Sequence, residues 1–309
     1  MITLTDRYPT RGNAERVIDR TDPVVWPSAQ DAAAGGGPWS AQELAAYERH
    51  GFRSVEELLT PAEVTAFRTE MDRLAADRAL RDDERAVIEP ASDEVRSIFE
   101  IHKISDLFAG LVQDVRLVDR ARSLLGSEVY VHQSRINIKP GYRGSGFYWH
   151  SDFETWHAED GLPRMRAVSV SIALTDNRDT NGSLMIMPGS HLTFVGCAGA
   201  TPADNYKTSL RMQEAGTPSD HALARLAERH GIHLFTGPAG SATWFDSNCM
   251  HGSGDNITPW PRSNVFIVFN SVDNTPRDPF AAPVRRPGFI AARDFTPVRG
   301  TASRAAPAR

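Results

Sequence analysis

The sequence predicts a mainly β fold with flanking helices, built on a double-stranded β-helix core of the jelly-roll or cupin-like kind. Three observations point there. After Gly126, six short β-rich runs follow one another between turn residues: "EVYVHQSRINIK", "GFYWHSDF", "RAVSVSIALT", "GSLMIMPGS", "GSATWFDS" and "NVFIVFNSV". Helical periodicities gather before these runs instead of alternating with them, which argues against a parallel α/β sheet. A length of 309 residues with 40% hydrophobic content is enough to build one domain around a sizeable core.

Residues 1–39 are rich in Pro, Gly and Asp and read as an N-terminal arm. Residues 40–125 read as mainly helical. Ser40 opens "SAQELAAYERHG" at capping-box spacing from Glu43, with Gly51 closing it, and Thr60-Pro61 opens "TPAEVTAFRTEMDRLAADRAL". Between them, Phe52 and Leu58 of "FRSVEELL" are expected on one apolar face. Leu107, Leu111, Val115, Val118 and Leu124 predict one further helix over about 106–125. The charged run 81–94 reads as a solvated, mobile segment. Residues 126–275 form the β core, interrupted by the helical insertion "DHALARLAERHG". Residues 276–309 form a C-terminal segment whose tail, "TASRAAPAR", is expected to fray.

Composition narrows the function classes. A net charge of −5 gives no basic field for nucleic acid or anionic lipid, so a small molecule is the expected partner. The first twenty residues hold no apolar signal region, and no run of about 18 apolar residues occurs, which predicts a cytoplasmic protein. Cys197 and Cys249 lack CxxC spacing, so they read as small buried residues in a reducing compartment and not as a cysteine-built zinc site.

The stretch "GFYWHSDFETWH", residues 146–157, crowds aromatic rings around imidazoles and carboxylates. His150 and Asp152 stand at i and i+2, a spacing that on a strand or at its end puts both on one face. His251, 99 residues after Asp152 in "WFDSNCMHGSGDN", supplies a third donor at the distance where jelly-roll strands return to one another. Two imidazoles and one carboxylate on one face leave open positions on an octahedral metal, the facial triad of non-haem Fe(II) oxygenases. Zinc also accepts this set with a water, so a hydrolase stays open on the ligands alone. Arg262, eleven residues after His251, and Lys139, at the end of "SRINIKPG", offer cations for an anionic co-substrate such as 2-oxoglutarate, which a hydrolase does not need.

The run "HQSRINIKPGYRGSGFYWHSDFETWHAEDGLPRM", followed in order by "LMIMPGSH" and "MHGSGDNITPWPRSNVF", resembles the signature of the ectoine hydroxylases within the phytanoyl-CoA dioxygenase superfamily, over nearly the whole chain. The resemblance implies an Fe(II)- and 2-oxoglutarate-dependent dioxygenase that uses O2 to convert ectoine to 5-hydroxyectoine with release of succinate and CO2. It also implies a homodimer serving compatible-solute synthesis under osmotic stress. Carried over position by position, it makes His150, Asp152 and His251 the iron ligands and catalytic centre. It assigns Lys139, Arg262 and Phe99 to 2-oxoglutarate, and Gln133, Thr155, Trp156 and Phe266 to ectoine.

Simpler readings compete at several positions. Phe147 reads as core packing, His157 as a surface or outer-layer imidazole, Lys139 as a solvated strand-end lysine, Arg262 as half of a structural salt bridge, and Gln133 as satisfying a nearby backbone group. The rival functions are a related dioxygenase acting on another small substrate, a zinc-dependent hydrolase, and a non-catalytic β-barrel binding module. Halogenation is disfavoured because it requires the metal carboxylate to be replaced by a small residue, and Asp152 is present.

Overall fold

The computed structural model of the protein describes residues 6–27, 37–89, 92–211 and 213–302. Residues 28–36 of the predicted arm and 303–309 of the tail lie outside them. In chain order the strands are β1 (Arg16–Asp19), β2 (Phe52–Val55), β3 (Ala86–Ile88), β4 (Val95–Phe99), β5 (Val129–Lys139), β6 (Phe147–His150), β7 (Ala167–Ala173), β8 (Leu184–Ile186), β9 (Thr193–Gly196), β10 (His233–Leu234), β11 (Ala242–Asp246), β12 (His251–Ser253) and β13 (Arg262–Ser271).

Seven of them form one antiparallel sheet in the order β2-β11-β7-β13-β5-β4-β3, and four form a second in the order β10-β8-β12-β6. The small β1–β9 ribbon completes the strands. This is the mainly antiparallel, helix-flanked architecture that the sequence predicts.

The alternation along the large sheet explains where the site lies. Ile136 of β5, Val168, Val170 and Ile172 of β7, Trp244 of β11 and Val265, Ile267 and Phe269 of β13 all join one apolar cluster with the helices. The helices that cover this face are α1 (Ala41–His50), α2 (Pro61–Ala76), α3 (Asp106–Val112) and α4 (Val115–Leu125). On the other face of the same strands stand Gln133, Arg135, Lys139, Ser169, Ser171 and Asn264. Buried polar residues at alternate positions require partners or a ligand, so the polar face marks the interior of the barrel as a binding site. Leu184 and Ile186 of the small sheet pack with Phe245 and Phe266 of the large one and close the barrel at one side.

Local chemistry sets the boundaries. Ser40 and Glu43 exchange the reciprocal hydrogen bonds of a capping box at the start of α1, and Thr60 and Glu63 do the same for α2. Gly51 ends α1 with φ of +81°. A Cβ there would lie 2.5 Å from His191 Nδ1 and 2.6 Å from Cys249 Sγ, so only glycine lets the helix end approach the strand connection that carries Cys249.

Four expectations need correction. The helix predicted over 106–125 is two, because Asp114 turns its carboxylate onto the Arg116 amide at 2.8 Å and starts α4 anew. The break leaves Leu107 38% exposed instead of on the apolar face. Phe52 and Leu58 belong to different clusters, since Phe52 lies in β2 on the edge of the large sheet beside β11. The 81–94 run is not simply solvated: β3 pairs with β4, and Glu89 is buried on Arg96 at 2.8 Å. Finally, "GFYWHSDF" is a strand only to His150. Ser151 caps a helical turn at Asp152–Thr155, followed by a π-helical turn at Trp156–Asp160. Asp220–His230 is helical as predicted, and Cys197 and Cys249 are both buried free thiols.

Candidate active site

His150 and His251 are cross-strand partners in the β6–β12 ladder, and Asp152 follows two residues after the end of β6. The three side chains converge: their ligand atoms lie within 4.8 Å of one another. Asp152 Oδ1 is 3.7 Å from His150 Nε2, and Oδ2 is 3.9 Å from His251 Nε2. His150 Nδ1–H donates to the Tyr148 carbonyl at 2.7 Å, and His251 Nδ1–H donates to the Cys249 carbonyl at 2.9 Å. Each imidazole is thereby fixed in the tautomer whose Nε2 lone pair is free for a metal. Burial pushes the His150 imidazolium down to about 4, reinforced by His251, so the ring is neutral at ordinary pH. Burial opposes ionisation of Asp152, but His251, His150 and Arg135 together hold its carboxyl below the ordinary value. Ser169 Oγ donates to Asp152 Oδ2 at 3.3 Å and orients it. The donor set suits a divalent transition metal.

A cavity opens beside the triad. Its wall includes Gln133, Phe147, Thr155 and Trp156 together with His150 and Asp152. Trp156 is 3% exposed and makes an edge contact with His132 at 5.5 Å. Gln133 does satisfy a backbone group, donating to the Ile290 carbonyl at 2.8 Å, and its Oε1 accepts from Arg135 at 3.0 Å. Phe147, expected as core, is half-buried on the cavity wall, with the Arg96 guanidinium 4.0 Å from its ring.

Arg135 is the residue that the sequence reasoning missed. It lines the cavity, and its two cross-strand partners are Phe99 on β4 and Phe266 on β13. Its guanidinium lies 5.9 and 5.1 Å from those ring centres. The two aromatic positions singled out in the sequence therefore hold a cation of the cavity wall between them. The alternating polar run Gln133, Arg135, Asn137, Lys139 was the available signal. Arg286 also lines the cavity, held by Asp160 through Nε at 2.8 Å and Nη2 at 2.5 Å. It comes from the C-terminal segment, which has no periodicity to reveal it.

Lys139 and Arg262 face each other in the β5–β13 ladder. Lys139 is 3% exposed, so the solvated reading does not hold, and it donates to Ser253 Oγ at 2.9 Å and the Gly254 carbonyl at 2.5 Å. Its ammonium is also 5.9 Å from the Phe147 ring centre, next to the cavity wall. Arg262 is 4% exposed, donates to Asn177 Oδ1 at 3.3 Å, and has no carboxylate within 4 Å among the described residues. Its buried Nη2 has no hydrogen-bond partner among the described residues. The salt-bridge reading therefore fails, and an unneutralised guanidinium in the barrel suits an incoming carboxylate. His157 is buried, not superficial: its ring nitrogens meet the Leu162 carbonyl and Asp6, and it stacks on Phe280 at 3.9 Å.

Comparison with known proteins agrees with this geometry. Residues 47–264 match the phytanoyl-CoA dioxygenase family. The chain is 67% identical over 299 residues to the ectoine dioxygenase of Streptomyces avermitilis, covering 97% of this chain and 100% of that protein. It is 51% identical over 296 residues to the ectoine dioxygenase of Bordetella bronchiseptica, covering 95% of each. The crystal structure of EctD from S. alaskensis with 2-oxoglutarate and 5-hydroxyectoine superposes with a TM-score of 0.85 at 44% identity, covering 96% of this chain and 99% of that one.

Proposed function

The chain belongs to the phytanoyl-CoA dioxygenase family, and we propose that it is the member that hydroxylates ectoine to 5-hydroxyectoine, consuming 2-oxoglutarate and O2 and releasing succinate and CO2. One observation carries the reading. Three convergent donors with free Nε2 and carboxylate atoms share a barrel with a buried guanidinium, Arg262, that has no carboxylate partner among the described residues.

His150, Asp152 and His251 would hold Fe(II), and the remaining coordination positions are for the co-substrates. When bound, iron and 2-oxoglutarate together supply the oxidising power for inserting an oxygen atom from O2 into an unactivated C–H bond. The protein's own share is positioning. Arg262 anchors the distal carboxylate of 2-oxoglutarate by a charge-assisted contact inside the barrel, with Lys139 as a second basic group beside it. Phe99 and Phe266 fix Arg135, which places positive charge close to Asp152. Trp156 presents a ring face to the delocalised cation of ectoine, while Gln133 and Thr155 supply polar contacts. The cavity's aromatic wall limits water near the reacting carbon.

The proposal extends to a cytoplasmic homodimer working in compatible-solute synthesis under osmotic stress. No helix of the described residues is long and apolar enough to cross a membrane. Light scattering coupled to size exclusion tests the dimer.

The functional test is product identification. Incubation with Fe(II), 2-oxoglutarate, O2 and ectoine should yield 5-hydroxyectoine by mass and NMR, with one succinate per product. Hydroxylation of a different small molecule in preference to ectoine would move the reading to a related dioxygenase. Oxygen-independent hydrolysis with Zn(II) would replace it.

A further inference from the structure

A buried charge cluster adjoins the cavity wall, and none of its members has a part in the chemistry above. Arg11, from the N-terminal arm, has a side chain only 1% exposed and a backbone φ of +56°, the left-handed region that a non-glycine residue enters at a cost. Its Nε and Nη2 donate to the two carboxylate oxygens of Glu154 at 2.6 and 2.8 Å, and Nη2 also reaches Glu159 at 3.3 Å. Thr10 Oγ1 adds a hydrogen bond to Glu154 at 2.5 Å, and Arg11 Nη1 reaches Thr201 at 3.4 Å. Asn205 Nδ2 donates to the same Glu159 oxygen at 2.8 Å. Gly216 makes room for the fork: a Cβ there would stand 2.2 Å from Arg11 Nη2.

The two carboxylates bracket Thr155 and Trp156 in the chain. Trp156 opens the π-helical turn, a geometry that is less regular than an α-helix and so depends on outside contacts. Asn205, Ser209 and Leu210 line the same cavity from the opposite segment. One guanidinium therefore ties together the arm, the turn that carries the cavity's tryptophan, and a second piece of cavity wall.

From this connectivity we infer that Arg11 is a positioning residue for ectoine. Through Glu154 and Glu159 it fixes the turn that presents Trp156, and through the Glu159–Asn205 bond it fixes residues 205–211 against the cavity. The inference rests on the ectoine reading above. Arg262 and Lys139 lie on β13 and β5, outside this cluster, so 2-oxoglutarate binding is independent of it.

The test compares the full-length iron-loaded enzyme with Arg11→Gln, Arg11→Lys and the double variant Arg11→Met/Glu154→Gln, which removes the charge pair without leaving Glu154 ionised and unpaired. Arg11→Gln and the double variant should raise the ectoine KM by about tenfold or more while changing the 2-oxoglutarate KM by less than about twofold, because a displaced wall misplaces one substrate only. They should also release succinate in excess of 5-hydroxyectoine and speed tryptic cleavage after Lys207, which is exposed. Arg11→Lys, which keeps the charge and loses the fork, should fall between. Wild-type values of ectoine KM, coupling and Lys207 cleavage in the variants would overturn the inference, as would equal losses for both substrates. If Arg11→Gln does not fold, the other two variants decide by the same criteria. A wild-type enzyme that does not turn over ectoine would sink the functional reading instead, and the Lys207 cleavage rates would still judge Arg11.

Discussion

Lys139 and Arg262 are direct cross-strand partners, two buried basic side chains side by side with no carboxylate within 4 Å of either among the described residues. Like charges opposite each other in a ladder destabilise it. Burial pushes Lys139 down to about 6, with Arg262 and Arg96 adding to the effect, and burial alone pushes Arg262 down to about 10. The fold holds this pair at a cost, which the proposed contact with the dicarboxylate 2-oxoglutarate would offset.

Arg262→Ala should therefore raise the 2-oxoglutarate KM by about 30-fold or more, the equivalent of about 2 kcal/mol for truncating one partner of a buried charged contact. The ectoine KM should change much less. Steady-state kinetics with each substrate varied in turn checks this, and equal changes would remove Arg262 from the co-substrate site.

The lysine gives a pH signature. Lys139 has a folded value of about 6 against an ordinary 10.5. Between these values the unfolded chain binds more protons than the folded one, so this group makes stability rise with pH. Replacing it in Lys139→Met should flatten the rise of unfolding free energy between about pH 6.5 and about pH 9. Urea unfolding across that range measures it, and parallel slopes for the two proteins would show that Lys139 titrates normally.

Trp156→Ala should weaken ectoine and spare 2-oxoglutarate. Loss of a partly desolvated cation–π contact of about 0.5–2 kcal/mol corresponds to a rise in ectoine KM of about 2- to 30-fold. Comparable loss for both substrates would make Trp156 a general structural residue.

Asp160 is fully buried between Arg286 and His132. Its burial opposes ionisation, yet Arg286 holds the carboxyl at about 2. A depressed carboxyl contributes stability that is present above its ordinary value of 3.8 and is lost as pH falls through about 2. Asp160→Ala should lower the unfolding free energy at neutral pH by about 3–5 kcal/mol, because it strands a buried guanidinium. Denaturant melts check the size, and a change below about 0.5 kcal/mol would place this pair among the weak ones.

Much of the site was legible because its chemistry is local in sequence. The His150–Asp152 spacing brings both donors to one side on a strand or at its end, and the structure ends β6 at His150. The β-core runs were legible for the same reason, since period-2 alternation is a property of each strand alone. What escaped detection depends on contacts between distant segments. Arg135 gains its place from flanking strands at Phe99 and Phe266, and Arg286 from Asp160 some 126 residues away. Glu89 looked solvated because its partner, Arg96, shows itself only once β3 and β4 pair. The break between α3 and α4 turned on a single side chain, Asp114, competing with the helix for a backbone amide.

The central claim is that His150, Asp152 and His251 hold one ferrous ion whose free positions accept 2-oxoglutarate. Anaerobic titration of the metal-free protein with Fe(II) in the presence of 2-oxoglutarate, followed by visible absorption, tests it most directly. A charge-transfer band that saturates at one iron per chain and is absent in Asp152→Ala is the predicted result. A wild-type protein without the band, or a variant that retains it in full, would contradict the claim.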